Sequence, residues 1–194
     1  MKTTAIILAG GKSSRFGRDK SMLVWNGRRI MEHLVERCSD IADEVLVVSN
    51  AKEKFGIPGV CELTDIYKGM GPLGGIHAGL KQANHDTVFV TACDMPLFHL
   101  ELAKKLLSYS TRYEAALPVA NGRIQPLFAM LKKTPALLVA ESMLRADQRR
   151  LRGLYEQLHT CYYSQHEQAE DPDLFFNINY PADFERLVSG ERGR

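Results

Sequence analysis

Two glycines and two basic residues near the start of the chain form the segment best suited to chemistry. Gly10 and Gly11 end a short apolar run, and Arg15 and Lys20 follow them closely. Because glycine has no Cβ, consecutive glycines let backbone N–H groups come close to an anion. The charges of Arg15 and Lys20 would stabilise the negative charge that develops during phosphoryl or nucleotidyl transfer. The segment predicts a triphosphate loop with Arg15 and Lys20 as catalytic residues.

Spacing excludes two other phosphate loops. In a P-loop, a glycine stands five positions before the Gly-Lys-Ser, but Ile6 occupies that position relative to Gly11. The dinucleotide fingerprint needs Gly-x-Gly-x-x-Gly, whereas Gly10 and Gly11 are adjacent. The alternative is an ordinary glycine-rich turn. That alternative is disfavoured by the combination of residues that follows Gly10-Gly11 in the segment: Arg15, Gly17, Asp19 and Lys20.

The elements that must position this loop alternate between strand and helix patterns, which predicts an α/β domain with a largely parallel sheet. Apolar runs predict strands over residues 4–8, 44–48, 87–92, 115–119, 126–130 and 161–164. Amphipathic spacing predicts helices over residues 30–41, 72–83, 100–108, 136–144, 151–157 and 182–188. Asn121-Gly122 predicts a hairpin turn. We expect one domain over residues 1–188, with 189–194 as a frayed tail.

Asp94 is the second candidate catalytic residue. It follows the apolar run at 87–92, and ligands of open α/β sheets collect beyond the carboxyl ends of the strands. A carboxylate there can hold Mg²⁺, which takes one or two carboxylates together with phosphate oxygens. The alternative is that Asp94 is the N-cap of the next helix. Together with a triphosphate loop, the metal interpretation is favoured.

Composition excludes several other classes of protein. The chain has 194 residues and a net charge of +2, with no apolar stretch near the ~20 residues of a membrane span, which argues against membrane and nucleic-acid partners. Four widely spaced cysteines form no Cys-x-x-Cys, and the six histidines form no i,i+4 pair, so a Cys/His metal site is not expected. Reduced thiols and the absence of a signal peptide predict a cytoplasmic protein.

The segment Leu8-Ala9-Gly10-Gly11-x-Ser13-x-Arg15-Phe16-Gly17-x-Asp19-Lys20 resembles the signature of nucleotidyltransferases of the glycosyltransferase-A-like fold. Within them it is most similar to the molybdenum cofactor guanylyltransferases (the MobA family), and the resemblance extends from Thr3 to Asp183. It implies a single-domain, Rossmann-like three-layer α/β sandwich with a mostly parallel central sheet, as in nucleotide-diphospho-sugar transferases.

The resemblance also implies the site residues. Asp94-Met95-Pro96 matches the family's metal-binding Asp-x-Pro. The nucleotide-binding residues would be Leu8, Ala9, Gly10, Gly11, Lys20, Asn50, Asp65, Gly75 and Asp94. The acceptor-binding residues would be Pro126, Asn177 and Asn179. Alternatives remain open: Asn50 as a loop-forming residue, and the two C-terminal asparagines as turn residues before a proline-started helix.

The arginines at 145, 149, 150 and 152 could hold the acceptor's phosphate or form a solvated helix face. The activity implied is transfer of GMP from Mg·GTP to the terminal phosphate of molybdopterin, with release of pyrophosphate. Candidate partners are proteins of molybdenum insertion and molybdoenzyme maturation. A cytidylyltransferase acting on molybdopterin or on a sugar or polyol phosphate, and a non-catalytic nucleotide-binding module, are the alternatives.

Overall fold

A computed structural model describes residues 2–10, 16, 19–51, 53–67, 69–164 and 175–190. Its strands are β1 (Thr3–Leu8), β2 (Val24–Trp25), β3 (Arg28–Arg29), β4 (Glu44–Ser49), β5 (Cys61–Thr64), β6 (Thr87–Ala92), β7 (Ala115–Ala120), β8 (Arg123–Ile124), β9 (Phe128–Lys132) and β10 (Thr160–Ser164). Its α-helices are α1 (Ile30–Ser39), α2 (Pro72–Gln82), α3 (Leu100–Leu107), α4 (Lys133–Arg145), α5 (Leu151–Glu156) and α6 (Pro181–Ser189). Two 3-10 helices cover Lys20–Met22 and Ser108–Thr111.

The central sheet has the strand order β10-β7-β9-β6-β1-β4-β5, with β8 paired to β7. β1 pairs in parallel with both β4 and β6, and β5 and β10 are also in parallel pairs. Antiparallel pairing involves β9, against β6 and β7, and β8 against β7. The mostly parallel sheet is therefore confirmed. The order reverses beside β1, because β1 leads to β4 on one side while β6 lies on the other.

Helices cover both faces of this sheet, which makes three layers. Ile6 and Leu8 of β1 pack in a cluster with α2, α4 and α5. Ala5 and Ile7, which alternate with them, face a second cluster with α1 and Leu187 of α6. The face that holds Ala5 continues across β6 into a third cluster with α3. All six β1 residues are buried, as expected for a central parallel strand.

Sequence reasoning missed three features of this fold. The strand β5 has only half-buried or exposed residues, so it lacks the apolar signal of a core strand. The β2–β3 hairpin turns at Asn26-Gly27, where both residues have positive φ, which is the same signal that was used at Asn121-Gly122. The predicted strand at 126–130 in fact covers Phe128–Lys132, because Gln125–Phe128 forms a turn.

The last helix is one residue longer at each end than the predicted 182–188. Helix α6 includes Ser189 and ends at Gly190, which has the left-handed conformation typical of a helix C-terminus. In the described ranges, none of the helices combines the length and the apolarity that crossing a bilayer requires.

The contact between α2 and β1 requires Gly79. A Cβ at this position would lie 2.6 Å from Cδ1 of the fully buried Ile6. Gly79→Ala should lower the free energy of unfolding by about 1–2 kcal/mol, because overpacking outweighs the gain in helix propensity. Urea denaturation measures this. The control is Gly153→Ala in α5, where the added Cβ meets the flexible end of Met143 at 3.1 Å and should cost nothing. Equal effects of the two substitutions would contradict this packing argument.

Candidate active site

The carboxyl ends of four adjacent parallel strands carry the candidate residues. Register pairs Leu8 with Val48 and with Ala92, so β1, β4 and β6 end together. Gly10, Asn50 and Asp94 follow these ends, and Asp65 follows β5. The site therefore lies at the edge of the sheet beside the reversal of strand order, which is where open α/β sheets bind ligands.

Backbone hydrogen bonds fix the end of β1. The carbonyl oxygen of Leu8 accepts from the N–H of Cys93 at 2.9 Å, and the N–H of Ala9 donates to the Val48 carbonyl at 2.8 Å. A Cβ on Gly10 would lie 3.4 Å from Oδ1 of Asn50, so the first glycine and the candidate base-side asparagine are neighbours. Gly11 and Arg15, both predicted site residues, lie outside the described residues.

Lys20 begins a 3-10 helix whose N-cap is Asp19. Oδ1 of Asp19 accepts from the N–H of Ser21 at 3.0 Å and from its hydroxyl at 2.5 Å. The N–H of Leu23 donates to the Lys20 carbonyl at 3.2 Å. The backbone at Lys20 is therefore held on both sides, which restricts where its ammonium can reach.

Asp94 carries a buried carboxylate oxygen, Oδ1, that has no hydrogen-bond partner in the described part of the chain. Burial raises the pKa of this carboxyl above its usual range, while the positive charge of Lys20 opposes the rise. An unpaired buried carboxylate oxygen is costly unless a cation or ligand satisfies it. Asp94 therefore fits a divalent cation. Lys20 is near enough for its charge to act on the Asp94 carboxylate.

The helix-cap alternative for Asp94 is wrong. The N-cap of α3 is His99, whose Nδ1 accepts from the N–H of Leu102 at 3.2 Å. Across the ranges that the structure describes, no three His, Cys, Asp or Glu side chains gather into a metal-binding group. Mg²⁺ is commonly held by one or two carboxylates together with substrate phosphates and water, and does not require such a group.

Asp65 is a second carboxylate with a buried oxygen, again Oδ1, that finds no hydrogen-bond partner among the residues that the structure describes. Desolvation raises its pKa to about 6. It lies against the first turn of α2, where a Cβ on Gly74 would come within 3.0 Å of Asp65 Oδ1 and of the Tyr67 carbonyl oxygen. Gly75, predicted to bind nucleotide, is buried against Leu8. A Cβ at this position would lie 3.0 Å from Leu8 Cδ2, so close packing also favours a small residue there.

The segment with Asn177 and Asn179 reaches the same edge of the sheet. The N–H of Ile178 donates to the Asp94 carbonyl at 2.8 Å, and Ile178 is fully buried. The segment forms no strand. Instead, Asn177 Nδ2 donates to the Phe175 carbonyl at 3.0 Å, and the N–H of Asn179 donates to Asp183 at 2.8 Å.

Pro126 lies in the turn before β9, and its carbonyl oxygen accepts from the hydroxyl of the fully buried Tyr155 at 2.6 Å. The arginines of the α4–α5 region are exposed. Three of them form ion pairs with neighbouring carboxylates: Arg145 with Glu141, Arg149 with Asp147, and Arg152 with Glu156. These pairs favour the solvated-face interpretation of the arginines.

Sequence reasoning missed Lys54. Its ammonium pairs with the carboxylate of Asp19 and donates to Ser21 Oγ at 3.1 Å. No local pattern indicates this contact, because Lys54 lies in the loop between β4 and β5, far from Asp19 in sequence.

Comparison with known proteins identifies the family. The family model described as "MobA-like NTP transferase domain" matches residues 5–161. The chain belongs to the MobA-like NTP transferases. Among similar curated proteins, a probable molybdenum cofactor guanylyltransferase of Peptoclostridium acidaminophilum is 36% identical, over 91% of this chain and 84% of the relative. Another with the same name, from Geobacillus sp. (strain WCH70), is 30% identical over 97% of this chain and 99% of the relative.

Solved structures share the fold of this MobA-like chain. A molybdopterin-guanine dinucleotide biosynthesis protein A from Archaeoglobus fulgidus superposes with a TM-score of 0.80 at 24% identity, over 96% of this chain and 97% of that one. A 2-C-methyl-D-erythritol 4-phosphate cytidylyltransferase from Thermus thermophilus superposes with a TM-score of 0.74 at 19% identity, and both chains are covered fully. The three-layer nucleotidyltransferase fold predicted from the sequence is thus confirmed.

The raised pKa of Asp65 predicts a pH-dependent stability difference. The folded state binds the Asp65 proton more tightly than the unfolded state, so stability falls as pH rises from about 4 through about 6. Asp65→Asn removes this loss. At pH 8 it should be more stable than the unmodified protein by about 1 kcal/mol, after discounting for solvent screening, and the difference should vanish below pH 4.

Urea denaturation at several pH values measures this difference. Asp43→Asn is the comparison of opposite sign, because the N–H of Thr3 donates to the Asp43 carboxylate at 2.9 Å and lowers its pKa. That variant should be the less stable one at pH 8, and its deficit should shrink as pH falls. An Asp65→Asn variant less stable than the unmodified protein at pH 8 would refute the desolvation argument.

Proposed function

We propose that this nucleotidyltransferase transfers GMP from Mg·GTP to the terminal phosphate of molybdopterin and releases pyrophosphate. The observation that carries the proposal lies just after the end of β6. There, Asp94 has a buried carboxylate oxygen without a hydrogen-bond partner in the described ranges, and the charge of Lys20 acts on this carboxylate. The names of the curated relatives support guanine as the base and the molybdenum cofactor as the acceptor. Mg²⁺ and the individual site residues are part of this proposal.

The chemistry needs no protein nucleophile, because the acceptor phosphate already carries an anionic oxygen. That oxygen attacks the α-phosphorus in line, and pyrophosphate leaves. The protein contributes positioning and electrostatic stabilisation. Lys20 supplies a point charge to the triphosphate, and Arg15 a planar guanidinium that can bind two oxygens at once. Asn50 and Asp65 would line the nucleoside, because both follow strands on the β4–β5 side of Gly10.

Asp94 would hold the divalent cation. When bound, Mg²⁺ neutralises charge on phosphate oxygens. The N–H of Ile178 holds the Asp94 backbone, so the carboxylate has a fixed origin from which to face the nucleotide. Because Asn177 and Asn179 flank Ile178, an acceptor bound to their amides would lie beside the metal carboxylate.

A panel of nucleotides tests the proposal. The protein, Mg²⁺ and molybdopterin are incubated separately with GTP, CTP, ATP and UTP, and pyrophosphate release is measured. We expect release with GTP, and none when molybdopterin is omitted. Asp94→Asn should lower turnover to background with unchanged circular dichroism and undiminished thermal stability, because asparagine keeps the size of aspartate but lacks the charge. Preference for CTP, or normal turnover of Asp94→Asn, would overturn the assignment.

The acceptor assignment has its own test. The double variant Asn177→Ala, Asn179→Ala should bind Mg·GTP as the unmodified protein does but lose at least about tenfold in molybdopterin affinity, because paired amides match a hydrogen-bonding heterocycle. Separate calorimetric titrations with the two ligands measure this. Asn84→Ala, far from this edge of the sheet, is the control. Weakened GTP binding with unchanged molybdopterin binding would place the acceptor elsewhere.

A further inference from the structure

Lys54 has no role in the proposed transfer reaction, yet its ammonium lies among the charged groups of the site. Its ammonium pairs with the carboxylate of Asp19, which is the N-cap of the turn that begins at Lys20. The side chain of Lys54 is only 20% exposed, whereas that of its partner Asp19 is 45% exposed. Lys54 is therefore a largely buried cation at the phosphate end of the site.

The backbone around Lys54 is anchored by three hydrogen bonds to one carboxylate. Glu62 of β5 accepts from the N–H of Lys54 at 2.7 Å, from that of Phe55 at 3.1 Å and from that of Gly56 at 2.8 Å. The carbonyl oxygen of Phe55 accepts from Arg29 at 2.9 Å. These bonds fix the backbone from which the Lys54 side chain extends, so only side-chain entropy is lost when its ammonium meets Asp19.

Asp19 divides its two oxygens between Lys54 and the Lys20–Met22 turn. Oδ1 accepts from Ser21, while Oδ2 faces the Lys54 ammonium. Lys54 also donates to the fully buried Ser21 hydroxyl at 3.1 Å. One ammonium thus holds both residues that flank Lys20 in sequence. The loop after β4 is thereby tied to the C-terminal end of the triphosphate loop.

Charge gives this contact a second consequence. Asp19 is an anion adjacent to Lys20, and without compensation it would compete with a triphosphate for the Lys20 ammonium. The three charges sum to +1 with Lys54 present and to zero without it. A partly buried ion pair is also less screened than a surface pair, so the compensation persists at physiological salt.

We propose that Lys54 is a positioning residue for nucleotide binding and transfer: its ammonium neutralises Asp19 and fixes the Lys20 turn, leaving Lys20 free for the triphosphate. This inference rests on the proposed role of Lys20 toward a nucleoside triphosphate. It does not depend on the identity of the acceptor. Lys54 acts through Asp19 and Lys20, and does not itself contact the reacting atoms.

Binding of Mg·GTP without acceptor, measured by calorimetry, and steady-state transfer to molybdopterin together test the proposal. Lys20→Ala should lower kcat/KM by about 10²–10³-fold, the usual loss for one electrostatic contact of this kind. Lys54→Met should lower kcat/KM by about 10–10²-fold, the scale of a misplaced catalytic group, and weaken Mg·GTP binding by about tenfold. Lys54→Arg should stay within about threefold of the unmodified protein, because arginine keeps the charge that pairs with Asp19.

Two double variants separate an indirect role from a direct one. In the Lys20→Ala background, Lys54→Met should change binding and turnover by less than about threefold, because interacting residues are non-additive. Asp19→Asn combined with Lys54→Met should recover at least about fivefold over Lys54→Met alone, since asparagine keeps the capping oxygen without the competing charge. Lys104→Met breaks an exposed ion pair with Glu101 and is the control, expected to match the unmodified protein.

Multiplying effects of Lys20→Ala and Lys54→Met would overturn the proposal, because they would mean direct contact between Lys54 and the nucleotide. Lack of recovery on adding Asp19→Asn would overturn it as well, as would an unimpaired Lys54→Met variant. If transfer to molybdopterin fails while Mg·GTP binds, the proposed function fails and the binding measurements still decide the role of Lys54. Absence of Mg·GTP binding by the unmodified protein would overturn both.

Discussion

β1 is hydrogen-bonded in parallel along both of its edges, to β4 and to β6, and is buried along its whole length. This double pairing sets the register at which three strands end. It therefore sets which residues can face one another across the edge of the sheet. Gly10, Asn50 and Asp94 meet there because the parallel ladder brings their strands to a common end.

Burial of charge is the second constraint on the site. Asp65 and Asp94 each keep a carboxylate oxygen out of water with no hydrogen-bond partner among the described residues, and desolvation raises both pKa values. A stable domain carries few such groups, because each lowers the free energy of unfolding. Two of them at the ligand-binding edge are typical of a site whose charges are satisfied by a bound ligand or cation.

The C-terminal segment and the β4–β5 loop complete the site from opposite directions. Ile178 reaches the Asp94 backbone from just before α6, while Lys54 reaches Asp19 from beyond β4. Each contact is held in place by a residue that has no proposed role in catalysis. Ile178 is fully buried, and the backbone of Lys54 is held by Glu62. Positioning in this protein is thus supplied by ordinary packing and capping.

Local patterns were enough to predict the fold class and most of the elements, and short motifs were enough to propose the candidate residues. Alternation of apolar runs defined β1, β4 and β6, and Asp94 could be placed at a strand end, because these signals are local. Three outcomes were not predicted. β5 lacks an apolar face, so its pairing with β4 was not predictable from its own residues. His99 is the N-cap of α3, so Asp94 does not cap this helix. Lys54 meets Asp19 only because the chain folds back between them, and a contact between residues far apart in sequence leaves no pattern in either segment. Only the tertiary structure could decide it.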